Sequence, residues 1–509
     1  MNALVISGAF FYAPPSFTVK AIVYLRKVDI YNKYEPVIGL EVHVQLNTKS
    51  KLFSDESASF GGEPNSHISP FTLAHPGTLP YINEKAIEYA IKLGLTLNCS
   101  IAGKSYFARK NYFYPDLPKG YQVSQHSTPI CKNGYVEIKT NNINRRILLN
   151  RIHIEEDAGK SIHDLEMDLT CIDFNRAGIP LLEVVSEPDL HSADEAFAFI
   201  TELRKLVRWL GICDGNMEEG SLRCDANISI RRKGEKILGT RVEIKNLNSI
   251  RHIKKAIEFE FIRLAGLAEN KETIIQETRS YNPEKNITIP LRSKENEDDY
   301  RYFPDPDLNE FTISSALLQR VKDELPILPM VLKKKYMEVI GLTEYDAAFI
   351  CEDMDYVNYF ESVIKLTANY KAAANWIIGP IKQYINQSQI SFKEFPLSPQ
   401  VIVKLIELVD ENRINFGNAS TKIFNALIEN PASDVLQIAT QLNLLQESDI
   451  SSIESMVEEV IYKMPEKVKE YRSGKKGLIG LFAGEIKKIS KGKADMQMVN
   501  KLLIEKLNY

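Results

Sequence analysis

The sequence of 509 residues lacks the patterns that define several large classes of protein. Its six cysteines are dispersed and form no Cys-x-x-Cys pair, which argues against a thiolate zinc site or a disulfide framework and favours a reducing compartment. No stretch approaches the roughly 18 uncharged apolar residues that a membrane-spanning helix needs. Because the net charge is −4, any nucleic-acid binding must depend on local basic patches and not on an overall basic field.

Several catalytic signatures are also missing from the sequence. There is no Gly-x-x-x-x-Gly-Lys phosphate loop followed by Ser or Thr, no protein-kinase motif set and no His-Glu-x-x-His motif. Ser221 follows Gly220 in a predicted tight turn, but no Gly-x-Ser-x-Gly elbow surrounds it, so it is not a convincing nucleophile. If the protein binds ATP, it must therefore do so through a metal ion held by residues on strands and not through one of these known motifs.

The order of the sequence patterns predicts an α+β protein of several domains. Residues 34–325 alternate strand patterns with long polar loops, notably 279–306, and with helices at 83–97, 192–210 and 248–265, which favours a large mixed or antiparallel sheet. Residues 326–440 show helical periodicity broken at Pro, Gly or Asn, and residues 441–509 form a distinct helical tail. Residues 1–33 lack the features of a secretory signal and are interpreted as a disordered extension.

Five predicted strands carry acidic or metal-ligating residues on their polar faces, at residues 39–46, 151–156, 171–175, 222–230 and 240–245. Side chains two apart on a strand share a face, so Glu41 and His43 project together, opposite an apolar face. Asp225 and Glu243 take the corresponding positions on two other strands. Repeated carboxylates repel one another unless a cation lies among them, so the pattern indicates a polar sheet surface built around a metal.

The residues alone leave the ligand set and the metal open. Oxygen ligands for Mg²⁺ can come from Glu41, Asp225, Glu243 and either Glu155 or Glu156. His43 would suit Mn²⁺ or Zn²⁺ better. Strand alternation places Glu155 beside His153, whereas Glu156 faces the other way unless the strand ends or bulges there. The alternative is a set of solvated acids that pair with Arg223, Arg241 and Lys245.

Two further regions combine basic residues with features of nucleic-acid binding. Residues 107–122 interleave Tyr and Phe with Arg109, Lys110 and Lys119, which can stack a base and neutralise phosphates, although a strand with aromatic core residues is the alternative. Ten Lys or Arg residues lie between positions 463 and 493. They predict a surface for phosphate contacts, with a solvated charged helix face as the alternative.

From about Tyr34 to the C-terminus the chain resembles the GatB (GatB/GatE) family, whose members belong to tRNA-dependent amidotransferases. The resemblance rests on the motifs at residues 37–46, 109–116, 154–160, 217–227, 245–249 and 298–304. Residues 484–494 and 499–503 are similar to the family's YqeY-like domain. The resemblance implies a cradle domain with the active site at 34–325, a helical domain at 326–440 and a tRNA-binding tail at 441–509, and it leaves residues 1–33 without a family counterpart.

The resemblance also implies a reaction and its partners. ATP would phosphorylate the side-chain carboxylate of the amino acid on misacylated Glu-tRNA(Gln) or Asp-tRNA(Asn), and ammonia would then displace phosphate to form the amide. A glutaminase subunit would release the ammonia from glutamine, and a small third subunit would complete a heterotrimer. The expected location is the cytoplasm, or an organelle if residues 1–33 are a transit peptide.

By the same resemblance, the family's Mg²⁺ ligands match Glu41, His43, Glu156, Asp225 and Glu243, with Glu155 adjacent. Mn²⁺ is an alternative ion, and Glu156, Glu41 and His43 are the expected catalytic residues. Contacts to nucleotide phosphates or to the acceptor end are hypothesised for Arg109, Lys110 and Lys160. Two other functions compete with this one: a non-catalytic scaffold that docks tRNA for a catalytic partner, and a stand-alone metal-dependent hydrolase.

Overall fold

The computed structural model describes residues 4–6, 9–11, 30–141, 143–166, 168–293, 297–445, 450–490 and 494–508. The chain divides into two compact units, Met1–Pro326 and Ile327–Tyr509. At the N-terminus, Leu4–Ile6 (β1) pairs antiparallel with Ala9–Phe11 (β2), and the rest of the predicted disordered extension up to residue 29 lies outside the described residues. Within the described residues, no helix has the length and apolar character required to cross a membrane.

The first unit contains seventeen further strands among its described residues. They are Tyr34–Gln45 (β3), Ser100–Ile101 (β4), Lys104–Ser105 (β5), Ala108–Asn111 (β6), Tyr121–Ser124 (β7), Cys131–Lys132 (β8), Tyr135–Thr140 (β9), Ile143–Glu156 (β10), Lys160–Glu166 (β11), Leu169–Asp173 (β12), Pro180–Ser186 (β13), Leu222–Arg232 (β14), Val242–Leu247 (β15), Glu277–Asn282 (β16), Ile287–Ser293 (β17), Phe303–Pro304 (β18) and Phe311–Thr312 (β19).

Ten of these strands form the main sheet, in the order β17-β16-β15-β14-β3-β13-β10-β8-β4, with β9 paired to β10. All described pairings in this sheet are antiparallel except that of β15 with β16. Three smaller sheets consist of β11 with β12, of β18, β6 and β7, and of β19 with β5. The mixed sheet together with its helices confirms the predicted α+β class.

The central strand β3 shows why one face of the sheet is free to carry a site. Leu40, Val42 and Val44 are fully buried, whereas Glu41 and His43 on the opposite face are partly exposed. The buried residues share one hydrophobic core with residues of the helices Glu84–Thr96, Ala193–Trp209 and Ile250–Glu269. The apolar face of the sheet is therefore covered by helices, and the candidate functional side chains lie on the polar face.

The predicted elements of this unit are largely confirmed. All five predicted acidic strands exist, as β3, β10, β12, β14 and β15, although β12 pairs with β11 outside the main sheet. Side chains of Asn83, Ser192 and Ser249 cap the three predicted helices, and Ser315–Asp323 adds a fourth. The prediction of a long polar loop over 279–306 was wrong for residues 279–293, because β16 joins the sheet by parallel pairing with β15 and then forms an antiparallel pair with β17.

The second unit is helical, as predicted. Its α-helices are Pro329–Glu338, Glu344–Ile350, Met354–Ile364, Tyr370–Trp376, Lys382–Ser388, Pro399–Asp410, Phe416–Asn418, Phe424–Glu429, Val435–Gln441, Ile450–Lys463, Pro465–Arg472, Ile479–Ile489 and Met496–Asn508. Single π-turns occur at Ile377–Ile381 and Ala419–Ile423. The last four helices share a hydrophobic core of their own, which includes Val457, Phe482 and Leu503.

Candidate metal centre

Three side chains from adjacent strands of the main sheet converge on its polar face. His43 of β3 lies opposite Glu183 of β13, which in turn lies opposite His153 of β10. Glu155 follows two residues after His153 and therefore shares its face. One ligand atom each from His43, Glu155 and Glu183 lies within 4.8 Å of the others. We refer to these three residues as the His43 cluster.

Two carboxylates, the buried Glu155 and the partly buried Glu183, and the imidazoles of His43 and His153 determine the charge of this site. Burial acts to lower the pKa of His43, but the facing carboxylates of Glu155 and Glu183 outweigh burial and raise it to about 10. The same balance raises the pKa of His153 to about 9. Burial would raise the pKa of both glutamates, yet the two imidazoles hold both values below the usual range. The pair of acids therefore requires positive charge in its immediate surroundings.

The donor atoms fit a divalent cation. The Nε2 atom of His43 lies 3.4 Å from an oxygen of Glu155 and 3.5 Å from an oxygen of Glu183, and the corresponding distances from His153 are 3.6 and 3.4 Å. These separations lie within ion-pair range but exceed the usual hydrogen-bond length of about 2.9 Å. Two carboxylates and one imidazole suit Mn²⁺ or Zn²⁺, and they also suit Mg²⁺ if water completes its shell.

Three other predicted acidic ligands, Glu41, Asp225 and Glu243, form a neighbouring group, and the ammonium group of Lys245 lies among them. Asp225 lies opposite Glu41 in the sheet. Lys245 places its Nζ 2.6 Å from Asp225 and 3.3 Å from Glu243. Asn227 donates to Glu41 at 2.9 Å. This group and the His43 cluster line one cavity of about 410 Å³. We call this space the acidic cavity.

Glu156 is the predicted ligand that the structure does not bring into the acidic cavity. Its carboxylate forms a buried ion pair with Lys119 and accepts a hydrogen bond of 2.9 Å from the backbone N–H of Val123. The side chain is only 2% exposed. Successive residues of a strand face opposite sides of the sheet, so the side chain of Glu156 points away from the face that carries Glu155. The expectation that Glu156 joins Glu41 and His43 as a metal ligand is therefore corrected.

The three predicted phosphate-contacting cations have different surroundings. Arg109 bonds to Asp305 at 2.9 Å and to Asp307 at 2.7 Å, and it lines neither of the cavities beside the His43 cluster. Lys110 lines the acidic cavity; burial would lower its pKa, but Tyr302, Glu155 and Glu183 outweigh burial and raise it. Lys160 is exposed and lines a second cavity of about 670 Å³, which shares His43, Asp225 and Lys245 with the first.

Glu183 is the residue of this site that the sequence analysis missed. It is an isolated acid in the strand Pro180–Ser186, between the buried residues Leu182 and Val184. A single charged residue within an apolar strand was the signal available, because a charge in such a position needs a partner on its own face. Its role depends on cross-strand register, which brings it opposite both His43 and His153.

Two family models match most of the chain. The GatB/GatE catalytic domain model matches residues 36–319, which contain the main sheet and the His43 cluster, and the GatB Yqey domain model matches residues 358–507. The chain therefore belongs to the GatB/GatE family.

Individual relatives agree with this assignment. The protein named as the B subunit of aspartyl/glutamyl-tRNA(Asn/Gln) amidotransferase from Syntrophotalea carbinolica is 45% identical over 476 residues, which cover 94% of this chain and 99% of the relative. Proteins of the same name from Nitratidesulfovibrio vulgaris and Geotalea daltonii are 45% and 46% identical, and each alignment covers 93% of this chain and 99% of the relative.

Proposed function

We propose that this chain is the catalytic B subunit of an amidotransferase that converts misacylated Glu-tRNA(Gln), Asp-tRNA(Asn) or both to the correct amides in the cytoplasm. The observation that supports the proposal most strongly is the acidic cavity. There the His43 cluster lies beside Asp225 and Glu243, which form ion pairs with Lys245. This cavity lies within the segment that matches the GatB/GatE catalytic domain.

The chemistry follows from the charges in the cavity. A carboxylate is a poor electrophile, so the side chain of the tRNA-bound amino acid must first be activated, here by phosphoryl transfer from ATP. Catalysis of that transfer depends mainly on positioning and on neutralising phosphate oxygens. His43, Glu155 and Glu183 would hold a divalent cation, which supplies such neutralisation when bound. Lys110, on the wall of the same cavity, is positioned to neutralise phosphate oxygens as well.

Ammonia then has to displace phosphate from the activated carboxylate. We propose that a separate glutaminase subunit releases this ammonia and that a small third subunit completes a heterotrimer. A neutral amine attacks an acyl phosphate readily only where water is kept away, because water is a competing nucleophile. His153 and Glu155, which are buried, line the cavity in which this attack would take place.

The central experiment is amidation by the purified complex with each misacylated tRNA, with ATP and the glutamine donor omitted in turn. We expect amide formation only when all components are present, and hydrolysis of ATP that depends on aminoacylated tRNA. A tRNA-docking scaffold would leave ATP intact when paired with a catalytically inactive partner. A stand-alone hydrolase would act without tRNA and without ATP. Either result would contradict the proposal.

A further inference from the structure

The hydroxyl group of Thr278 contacts one of the acids of the acidic cavity. Thr278 lies opposite Glu243 in the parallel pair of β16 with β15, and its hydroxyl donates a hydrogen bond of 2.9 Å to Oε2 of Glu243. Thr278 lines the cavity but is only 2% exposed, and Glu243 is 6% exposed. A hydrogen bond between groups that are shielded from water is stronger than the same contact at a surface. The Thr278 hydroxyl therefore restrains the Glu243 carboxylate firmly.

The opposite face of β16 determines where this hydroxyl lies. Side chains alternate along a strand, so Glu277 and Arg279 point away from the face that carries Thr278. On that other face Glu277 forms ion pairs with Arg279 at 2.8 Å and with Arg263 at 3.0 Å. These ion pairs hold β16 in place, and a threonine side chain, branched at Cβ, has little rotational freedom of its own. The direction of the hydroxyl is therefore set before any ligand binds.

Glu243 is held from two sides. Its Oε2 accepts the hydrogen bond from Thr278 on the neighbouring strand, whereas its Oε1 lies 3.3 Å from Nζ of Lys245 on its own strand. A glutamate side chain has several rotatable bonds, and contacts to both oxygens select one orientation of the carboxylate. Because Lys245 lines the acidic cavity, this orientation directs Oε1 toward the cavity.

The neighbouring acid Glu41 has a similar partner. Asn227 donates its amide N–H to Oε1 of Glu41 at 2.9 Å. The Oδ1 atom of Asn227 is buried and has no hydrogen-bond partner among the residues that the structure describes. An unsatisfied buried oxygen costs stability, so this amide is oriented for Glu41 at the expense of its own oxygen. Neutral donors that orient carboxylates therefore recur in this part of the sheet.

We propose that Thr278 is a positioning residue for the reaction in the acidic cavity, because its hydroxyl fixes Glu243 in the orientation in which this carboxylate serves the divalent cation. The inference rests on the proposed function and deepens it. Groups that bond to metal ligands fix the orientation of those ligands and tune their affinity for the ion. Thr278 acts through Glu243 and is not itself a ligand.

The test uses the assembled complex with Thr278→Val, which removes the hydroxyl and nearly keeps the shape of the side chain, and with Thr278→Ser, which keeps the hydroxyl. The matched control is Thr288→Val on β17. Thr288 is 4% exposed, and its hydroxyl donates to Glu260, which lies outside the acidic cavity. Glu243→Ala, alone and combined with Thr278→Val, completes a double-mutant cycle. Electron paramagnetic resonance measures the affinity for Mn²⁺, and urea unfolding measures stability.

We expect Thr278→Val to raise the dissociation constant of Mn²⁺ by about 10- to 100-fold and Thr278→Ser to keep it within about threefold of the wild-type value. Thr288→Val should make the chain easier to unfold but leave Mn²⁺ affinity unchanged. In the Glu243→Ala background, Thr278→Val should cause no further loss. Unchanged Mn²⁺ affinity in Thr278→Val, an equal loss in Thr288→Val, or a further loss in the double variant would overturn the positioning role.

The Mg²⁺ dependence of amidation separates this inference from the proposed function. The Mg²⁺ concentration for half-maximal amidation should rise in Thr278→Val, and the rate should recover at high Mg²⁺, since the ligands themselves remain. A wild-type complex that binds Mn²⁺ but fails to amidate tRNA would refute the proposed function, whereas the Mn²⁺ affinities of the variants would still decide the role of Thr278.

Discussion

Glu155 and Glu156 are neighbours in the chain but have different chemical surroundings. Glu155 faces two imidazoles and the acidic cavity, whereas Glu156 faces Lys119 and the backbone N–H of Val123. Strand alternation alone produces this division, because it sends adjacent side chains to opposite faces. The two residues therefore offer a comparison in which sequence position is almost constant and only the environment changes.

The variant Glu155→Gln should weaken divalent-metal binding, and Glu156→Gln should not. We expect at least about a 10-fold loss of Mn²⁺ affinity in Glu155→Gln, since even partners of metal ligands commonly contribute 10- to 100-fold. Glu156→Gln should keep Mn²⁺ affinity within about twofold but should unfold more easily, because Lys119 would remain buried without its partner. Electron paramagnetic resonance of bound Mn²⁺ measures the affinity. The reverse order of the two losses would disprove the placement of the ion.

Glu183→Gln tests the ligand that the sequence patterns did not reveal. Removing this charge leaves the His43 cluster with one carboxylate, so we expect amidation to fall by at least about 100-fold at limiting Mg²⁺, with partial recovery at high Mg²⁺. Binding of tRNA should stay unchanged. Glu187→Gln is the matched control, because Glu187 directly follows the same strand and its side chain accepts an exposed hydrogen bond from Asn150. Full activity of Glu183→Gln at limiting Mg²⁺ would exclude Glu183 as a ligand.

The residues of the site were thus only partly predictable. Alternation within single strands is a local pattern, and it identified Glu41, His43, Asp225 and Glu243 and left Glu155 or Glu156 as the open choice. The pairing of strands is not local, since β3 lies between β14 and β13, which follow it by more than a hundred residues. For that reason the position of Glu183 opposite His43 could not be read from the sequence. The ion pair of Asp225 with Lys245 agrees with the alternative that the acids pair with neighbouring basic residues.

At the scale of elements, a buried ionic cluster connects the helix Ile250–Glu269 to β16 and β17. Glu260 is fully buried, and Arg263 approaches both Glu260 and Glu277. Arg279 lies 3.6 Å from Glu260 and 2.8 Å from Glu277, and Thr288 donates to Glu260 at 2.7 Å. The charges within this cluster balance, which allows a polar helix face to pack against the edge of the sheet.

The variant Glu260→Ala should destabilise the first unit by about 3 to 5 kcal/mol, because it leaves two guanidinium groups facing each other without the buried acid between them. The matched control is Glu258→Ala on the same helix, where the side chain is 45% exposed and the change should stay within about 0.5 kcal/mol. The shift of the first urea-unfolding transition measures the effect. Equal shifts in the two variants would show that the cluster contributes nothing beyond an exposed ion pair.

This cluster also explains an element that the sequence analysis missed. Residues 279–306 resemble a polar loop because Arg279 and Thr288 are polar, yet both are buried through their bonds to Glu260 and Glu277. Helices were easier to predict, since caps such as Ser192 and Ser249 act locally. Even so, the helical periodicity of residues 326–440 did not reveal the π-turn at Ile377–Ile381, where Pro380 lacks the N–H that a regular helix uses.

At the scale of the whole molecule, the basic tail carries less free charge than its lysine count indicates. Each of Lys463, Lys467, Lys469, Lys475 and Lys488 forms an ion pair with a glutamate three to five residues away. These pairs are exposed and contribute little stability, so phosphates can compete for the lysines. The glutamates nevertheless remain nearby and reduce the attraction. The tail should therefore add a modest, salt-sensitive increment to tRNA binding.

Truncation of the chain after Leu445 tests that increment, and this point avoids the helix Val435–Gln441. The tail helices from Ile450 onward share a core among themselves, so their removal takes out a complete packed group. We expect weaker tRNA binding and a slope of log affinity against log salt that is shallower by about 1 to 2, equivalent to about one or two lost phosphate contacts. At saturating tRNA the amidation rate should stay within about twofold of the full chain, because the residues that line the acidic cavity all belong to the first unit. An unchanged affinity and slope would show that the lysines form only a solvated face, and a lost rate at saturation would show that the tail acts on the chemistry itself.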